Sequence, residues 1–216
     1  MIPVAHPPAT PRAIAVQRRG ANFLQKCPNP KPDDWKRHQF WQLTHNDLYA
    51  AQAGICAYSA SWTPRKLSAS HPENTSIDHF IPKKIRPDWA YEWSNFRLCR
   101  ARLNNRKDAW IDVIDPVFIQ DGWFSIDFFT FLIGPAQSLP VYLSLRITES
   151  IERLGLNSDQ DYVNERSGIV RDYCLDKLTF VQLRDKYPFI ARQMLIQNFD
   201  TTFKTVFRAA IERLGT

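Results

Sequence analysis

Five residues stand at spacings that chemistry can use: Asp78 and His79 side by side in "SIDHFIPKK", Asn95 in "YEWSNFRLC", and Asn104 with Lys107 in "LNNRK". Cutting a phosphodiester needs a divalent cation held by oxygen donors, a base to activate water, and cations for the phosphates. Asp78 can supply a metal oxygen. His79 can be the base, because an ordinary imidazole pKa of about 6.5 leaves the ring largely neutral near pH 7. If "RLNNRK" is helical, Asn104 and Lys107 share a face. A carboxylate and an amide carbonyl completed by waters suit magnesium or manganese better than zinc. Adjacent residues of a regular strand point to opposite faces, so Asp78 and His79 can meet one phosphate only at a strand end, and Pro82 ends the ladder nearby. The plain alternative is a hydrogen-bonded polar pair with no chemistry.

The elements that must position these residues are read from periodicity. Residues 1–32 carry seven prolines, five Lys/Arg and no acid, which reads as a basic, Pro-rich extended arm. "DDWKRHQFWQLTHNDLYAAQAG" predicts one helix over 33–54, with Asp33 or Asp34 at its start and Gly54 closing it. Residues 55–110 mix short strand-like runs with prolines and end in the helix-compatible "RARLNNRKDAW". In 111–216, "WIDVIDPVFI" and "GWFSIDFF" read as irregular or strand pieces before a helical region. There "PVYLSLRITESIERLG" starts at Pro140 and stops at Gly155, Ser158 with Asp161 resembles a capping box, and a last helix runs from about Pro188 with Phe199, Phe203, Val206 and Leu214 on its apolar face. Both copies of "IERLG" read as helix ends closed by glycine. The fold class expected is α+β, mainly helical.

Composition narrows the partners. Lys and Arg number 28 against 22 Asp and Glu, a net charge of +6 that favours a polyanion. The most apolar window, "WFSIDFFTFLIG", contains Asp127 and is too short to span a bilayer, so no membrane partner and a cytoplasmic location are expected. Cys27, Cys56, Cys99 and Cys174 are scattered and form no CxxC pair, which argues against a disulfide framework. His6, His38, His45 and His71 lack comparable company and read as surface or core residues. Trp62, beside Pro64, Arg65 and Lys66, reads as core or as a base-stacking ring. Arg100, Arg102 and Arg106 read as a phosphate track or a solvated helix face.

"SIDHFIPKK", "YEWSNFRLC" and "LNNRK", taken in order, resemble the DH…N…NxxK pattern of HNH endonucleases, whose ββα-metal (His-Me) finger wraps one divalent ion. The resemblance implies Asp78 and Asn104 as ligands of Mg2+ or Mn2+, His79 as general base, and Asn95 as the residue that orients the base's loop or ring. It also implies phosphate contacts from Lys107, Lys83 and Arg106. Asn105 competes with Asn104, which has the NxxK spacing to Lys107. The finger would lie at 55–110, embedded between N-terminal and C-terminal helices. "GICAYS", "HFIPK", "IDP" and "IERLGLN" are further similar to the HNH nuclease subunits of Septu-type and retron-linked anti-phage systems (PtuB-like). That likeness implies a DNA-cutting effector of a defence complex with an ATPase subunit as partner. The chain itself has no Gly-rich phosphate loop.

One departure matters. Many such nucleases hold a structural zinc with two CxxC pairs, whereas this chain has Cys56-Ala-Tyr-Ser59 and Cys99-Arg-Ala-Arg102. Two thiolates do not close a tetrahedral site, so no structural zinc is expected. Burial of Tyr58, Phe80, Trp89, Trp93 and Phe96, at about 1.5–3 kcal/mol each, is of the order of the roughly 10–16 kcal/mol of such an ion. Two other functions compete: a catalytically silent module that binds nucleic acid or a partner, and an RNA-cutting toxin.

Overall fold

The computed structural model describes residues 1–4, 6–65, 71–199 and 201–214, and within the last range excludes the side chains of 201–203, 211, 212 and 214. Its centre is an antiparallel pair, β1 (Thr75–His79) and β2 (Phe96–Arg100), in register from Thr75 opposite Arg100 to His79 opposite Phe96. Helix α4 (Ala101–Lys107) leaves β2 without a loop and packs back on both strands. Period-two alternation divides the pair between two cores. Ile77, Phe96 and Leu98 join Trp35, Trp41 and Tyr91 on the N-terminal side, while Cys99 joins Cys56, Tyr58, Leu103 and the C-terminal helices on the other.

The extended arm expected over residues 1–32 is corrected by the structure. Residues Pro11–Lys26 form helix α1, with Pro11 in the first turn, where its missing N–H costs no bond, and Thr10 Oγ1 accepting from the Ala13 amide at 3.1 Å. Ala13, Val16 and Gly20 are its buried positions. A Cβ on Gly20 would sit 2.0 Å from Tyr91 Cγ, so the close approach of α1 needs glycine there.

The single helix expected over 33–54 is also corrected. It is broken into α2 (Pro32–Arg37), a 3-10 turn at Phe40–Thr44, and α3 (His45–Ala51). Trp35 and Trp41, six residues apart, would project about 120° apart on one straight helix. The break turns both into the same core, with ring centroids 6.3 Å apart.

Between α3 and β1, the segment 54–63 folds on itself through an Ile55–Trp62 bridge, with Cys56 N bonded to Ser61 O at 3.0 Å. The Ala57 amide, bonded to Leu98 O at 2.8 Å, pins it to β2. A second small sheet pairs β3 (Phe124–Ile126) with β4 (Ile133–Pro135).

The C-terminal region is helical. Helix α5 (Val141–Leu154) stops at Gly155, whose φ of +66° is the left-handed cap. Helix α6 (Gln160–Cys174) is capped by Asp159, whose carboxylate accepts from the Asp161 amide at 3.0 Å, and not by Ser158. Helix α7 (Phe180–Lys186) opens with a Thr179–Gln182 capping box. The long last helix expected from Pro188 is two, α8 (Pro188–Ile196) and α9 (Thr201–Leu214). Phe199 lies between them against Phe128, with ring centroids 5.0 Å apart, while the side chains of Phe203 and Leu214, and Gly215 of the second "IERLG", lie outside the described residues. Among the described residues no helix is long and apolar enough to cross a membrane.

Candidate active site

His79 ends β1 on the N-terminal core face. Trp41 meets its ring edge-on at 4.8 Å and Phe96 at 5.4 Å. Its Nε2 lies 2.9 Å from the Ala90 carbonyl, which can only accept. Nε2 therefore carries the proton, and the neutral ring keeps its lone pair on Nδ1. Burial, and then the Lys83 cation, lower the pKa to about 3; the Ala90 carbonyl opposes the shift, and Lys107 adds to it.

Asn95 fixes the loop that carries Ala90. Its Oδ1 accepts from the Ile81 amide at 2.7 Å, and its Nδ2 donates to Ile81 O at 2.9 Å and Trp89 O at 3.1 Å. The Asn95 carbonyl also accepts from the Phe80 amide at 2.9 Å. A residue 1% exposed thus holds both ends of segment 81–89 and, through it, the carbonyl that orients His79.

Asp78 faces the other way, into the C-terminal core. Its Oδ2 accepts from Tyr58 Oη at 2.5 Å, and Lys107 Nζ lies 3.2 Å from Oδ2 and 3.3 Å from Oδ1. Arg97, opposite Asp78 in the register, turns instead to Asp115 through two bonds of 2.7 and 2.6 Å. Asn104 donates from Nδ2 to Ser76 Oγ at 3.2 Å and Ile77 O at 3.3 Å, which leaves Oδ1 as the free end of the amide.

Although Asp78 and His79 point to opposite faces, the strand stops at His79 and both border one cleft of about 600 Å³. Asn104 and Asn105 border it from α4, Trp41, Gln42 and Lys36 from the N-terminal segment, and Lys83 and Lys84 from the loop after β1. The structure therefore brings Asp78, His79, Asn104 and Lys83 to one opening, with Asn95 behind it.

Two expected phosphate contacts are corrected. Lys107 is fully buried, and its Nζ is taken up by Asp78, by Phe80 O at 2.9 Å and by His79 O at 3.4 Å, so no phosphate can reach it. Arg106 points away from the cleft, to Asp159 at 2.6 Å and Leu154 O at 3.2 Å. Arg100 and Arg102 are likewise occupied, by Glu165 at 2.6 Å and by Asp159 and Asp161 at 2.9 and 2.8 Å. With Arg106 they ring Tyr162, at 5.6, 5.8 and 5.9 Å from its centroid. They form a strut from the end of β2 and α4 to α6, not a phosphate track.

The sequence reading missed Tyr58 as a partner of Asp78, Trp41 as the wall over His79, and Lys36 and Lys84 at the rim. Only the two rim lysines carried a signal, their charge.

The other expected positions are plainly structural. His38 stacks on Phe23 at 3.9 Å, His6 meets Trp93 edge-on at 5.8 Å, and His71 Nδ1 accepts from the Glu73 amide at 3.1 Å. Trp62 lies under Lys186, whose Nζ is 5.4 Å from its ring centroid, and Lys66 lies outside the described residues. Cys56 and Cys99 are fully buried free thiols, and burial pushes the Cys99 thiol well up.

Among the described residues no three His, Cys, Asp or Glu side chains cluster where they could hold a metal ion. The oxygen donors at the cleft are the Asp78 carboxylate and the Asn104 carbonyl. Compared with known proteins, the chain matches no family model and no curated protein.

Proposed function

We propose that this chain is a metal-dependent endonuclease of the HNH type that hydrolyses nucleic-acid phosphodiesters, with DNA as the expected polymer. One observation carries the reading: a neutral histidine, its Nε2–H fixed on a buried carbonyl, borders the same cleft as a carboxylate and an amide oxygen. In this reading β1, β2 and α4 are the ββα finger.

His79 Nδ1 takes the proton of the attacking water, while the Nε2–H on Ala90 O holds the ring in its tautomer and Asn95 holds the loop. Burial beside Lys83 disfavours the imidazolium, so before substrate enters the ring is a weak base; an entering phosphate anion offsets Lys83 and favours proton uptake, after which the ring passes the proton to solvent water. Lys83 supplies a cation for the phosphates at the rim, and Lys36 and Lys84, in exposed pairs with Asp33 at 3.1 Å and Asp108 at 3.8 Å, can exchange those weak surface partners for phosphate.

The donor set fits a hard divalent ion in kind. Asp78 keeps lone pairs beyond its bonds to Tyr58 and Lys107, Asn104 Oδ1 is free, and magnesium retains several waters. Asp78 and Asn104 would hold Mg2+ or Mn2+, which when bound supplies charge stabilisation at the leaving oxygen.

A second reading has its own observation. Asp78 already accepts from Tyr58 and Lys107, which is how a purely structural carboxylate in a silent binding module would be satisfied. Conversion of supercoiled plasmid to nicked or linear DNA, dependent on magnesium or manganese and abolished by chelation, supports the nuclease; salt-sensitive binding without cleavage supports the module. Parallel RNA and single-stranded DNA substrates decide between the DNA reading and an RNA-cutting toxin. An anti-phage complex with an ATPase subunit is supported by the sequence resemblance alone, and co-expression with such a subunit tests it.

A further inference from the structure

A second cavity, of about 530 Å³, lies beside the cleft, and Gln42 borders both. Besides Gln42 its polar walls are Arg12 from α1, His45 and Asn46 from α3, Arg65, and Asn74 with Thr75 at the start of β1. Each of these side chains carries a hydrogen-bond donor group, and among the described residues no Asp or Glu lines the cavity. The nearby Asp47 is taken up, by Thr10 Oγ1 at 2.6 Å and Arg12 at 3.4 Å.

The cavity is anchored to the strand that carries the site. Thr75 Oγ1 donates to Arg65 O at 3.0 Å and meets His45 Nε2 at 3.0 Å, so His45 is the donor in that second bond. Thr75 and Asp78 are three residues apart on β1, about 10 Å at ~3.3 Å per residue. A stacked nucleic-acid strand covers that distance in about three nucleotides at ~3.4 Å each.

The geometry points to a second phosphate-binding pocket, formed by Arg12, Arg65 and Asn46 beside the His45–Thr75 bond, that holds the strand being cut about three nucleotides from the phosphodiester at His79. This assignment rests on the nuclease reading and adds to it a minimum substrate length and a direction of travel along β1, toward Thr75.

The test is binding of single-stranded oligonucleotides two to ten nucleotides long to the full chain in EDTA, where no cutting interferes. Wild type is expected to gain affinity once the strand spans both pockets, at about four nucleotides. Arg12→Gln/Arg65→Gln should lose that gain, weaken ten-nucleotide binding about tenfold, and lower the salt slope by about 1.4, at ~0.7 per phosphate contact. Asn46→Glu, which places a carboxylate on an exposed position of the same wall, should weaken the same oligonucleotides while leaving the circular dichroism spectrum unchanged. Wild-type affinity and salt slope in both folded variants would overturn the pocket and leave the nuclease reading standing. Failure of wild type to bind any oligonucleotide would also overturn the pocket, while plasmid cleavage with magnesium or manganese decides the nuclease reading separately.

Discussion

Lys107 Nζ lies 3.2 Å from Asp78 Oδ2; Lys107 is sealed at 0% exposure, and Asp78, at 3%, meets only the cleft. This pair ties the last turn of α4 to the end of β1. It makes Lys107 a positioning residue for Asp78 and the strand end.

Removing one partner of a buried pair leaves an uncompensated charge, at a cost of about 3–5 kcal/mol. Lys107→Met should therefore destabilise by that order in urea unfolding, and Asp78→Asn added to it should restore part of the loss. Lys83→Gln, at the rim, should instead lower the salt slope of nucleic-acid binding with little effect on stability. If Lys107→Met were neutral to stability and lowered the salt slope, its ammonium would be facing phosphate.

Asn95 satisfies three backbone groups of segment 81–89. Asn95→Ala leaves them unpaired, and at ~1 kcal/mol or more each the loss should be about 3 kcal/mol. Hydrogen exchange of the Ile81 amide should accelerate more than the amides of β2. Unchanged exchange at Ile81 would mean that the loop is held by other contacts.

The acid limb of stability should report His79. The unfolded chain protonates this ring below about pH 6.5, while the folded ring resists until about pH 3. The unfolded state thus binds more protons in that window, and stability falls as the pH drops, by up to ~1.4 kcal/mol per pH unit. In EDTA, His79→Ala should show a shallower fall between those limits. Equal slopes would show that the folded ring is already charged.

Asp159 contributes with the opposite ionisation. Burial raises its pKa, but Arg102, the Asp161 amide and Arg106 outweigh it and hold the carboxyl below 3.8. Its contribution is therefore complete above the ordinary carboxylate value and is lost as the pH falls through the lower folded one. Asp159→Asn should cost about 2 kcal/mol at pH 7, from a weakened helix cap and lost charge-assisted bonds. The gap to wild type should narrow below about pH 4. A cost independent of pH would assign it to packing instead.

Much of the site was legible because it is local. A strand that must stop near Pro82 and a helix carrying Asn104 follow from short-range patterns, the ordered set Asp78, His79, Asn95 and Asn104 was implied by the resemblance, and the structure places Asp78, His79 and Asn104 at one cleft with Asn95 behind it. Depth was not legible. The spacing of Asn104 and Lys107 gives a shared face but not how deep that face lies, and only the packing of α4 on β1 shows that Lys107 is sealed while Asn104 is open. Arg100, Arg102 and Arg106 read as a phosphate track or a solvated helix face because their acidic partners are distant in sequence: Glu73 upstream, and Asp159, Asp161 and Glu165 more than fifty residues downstream. The N-terminal helix was masked by prolines, although Thr10-Pro11 followed by Ala13, Val16 and Gly20 holds both a cap and a buried stripe. The break between Trp35 and Trp41 depends on Tyr91, a partner that local periodicity does not contain.

The central claim is that His79 is the base, and cleavage of supercoiled plasmid by wild type beside His79→Ala, with magnesium or manganese, tests it most directly. Metal-dependent nicking by wild type, reduced at least about a hundredfold in a variant that still folds and binds the plasmid, is the predicted result. Cleavage at the wild-type rate by His79→Ala would contradict it.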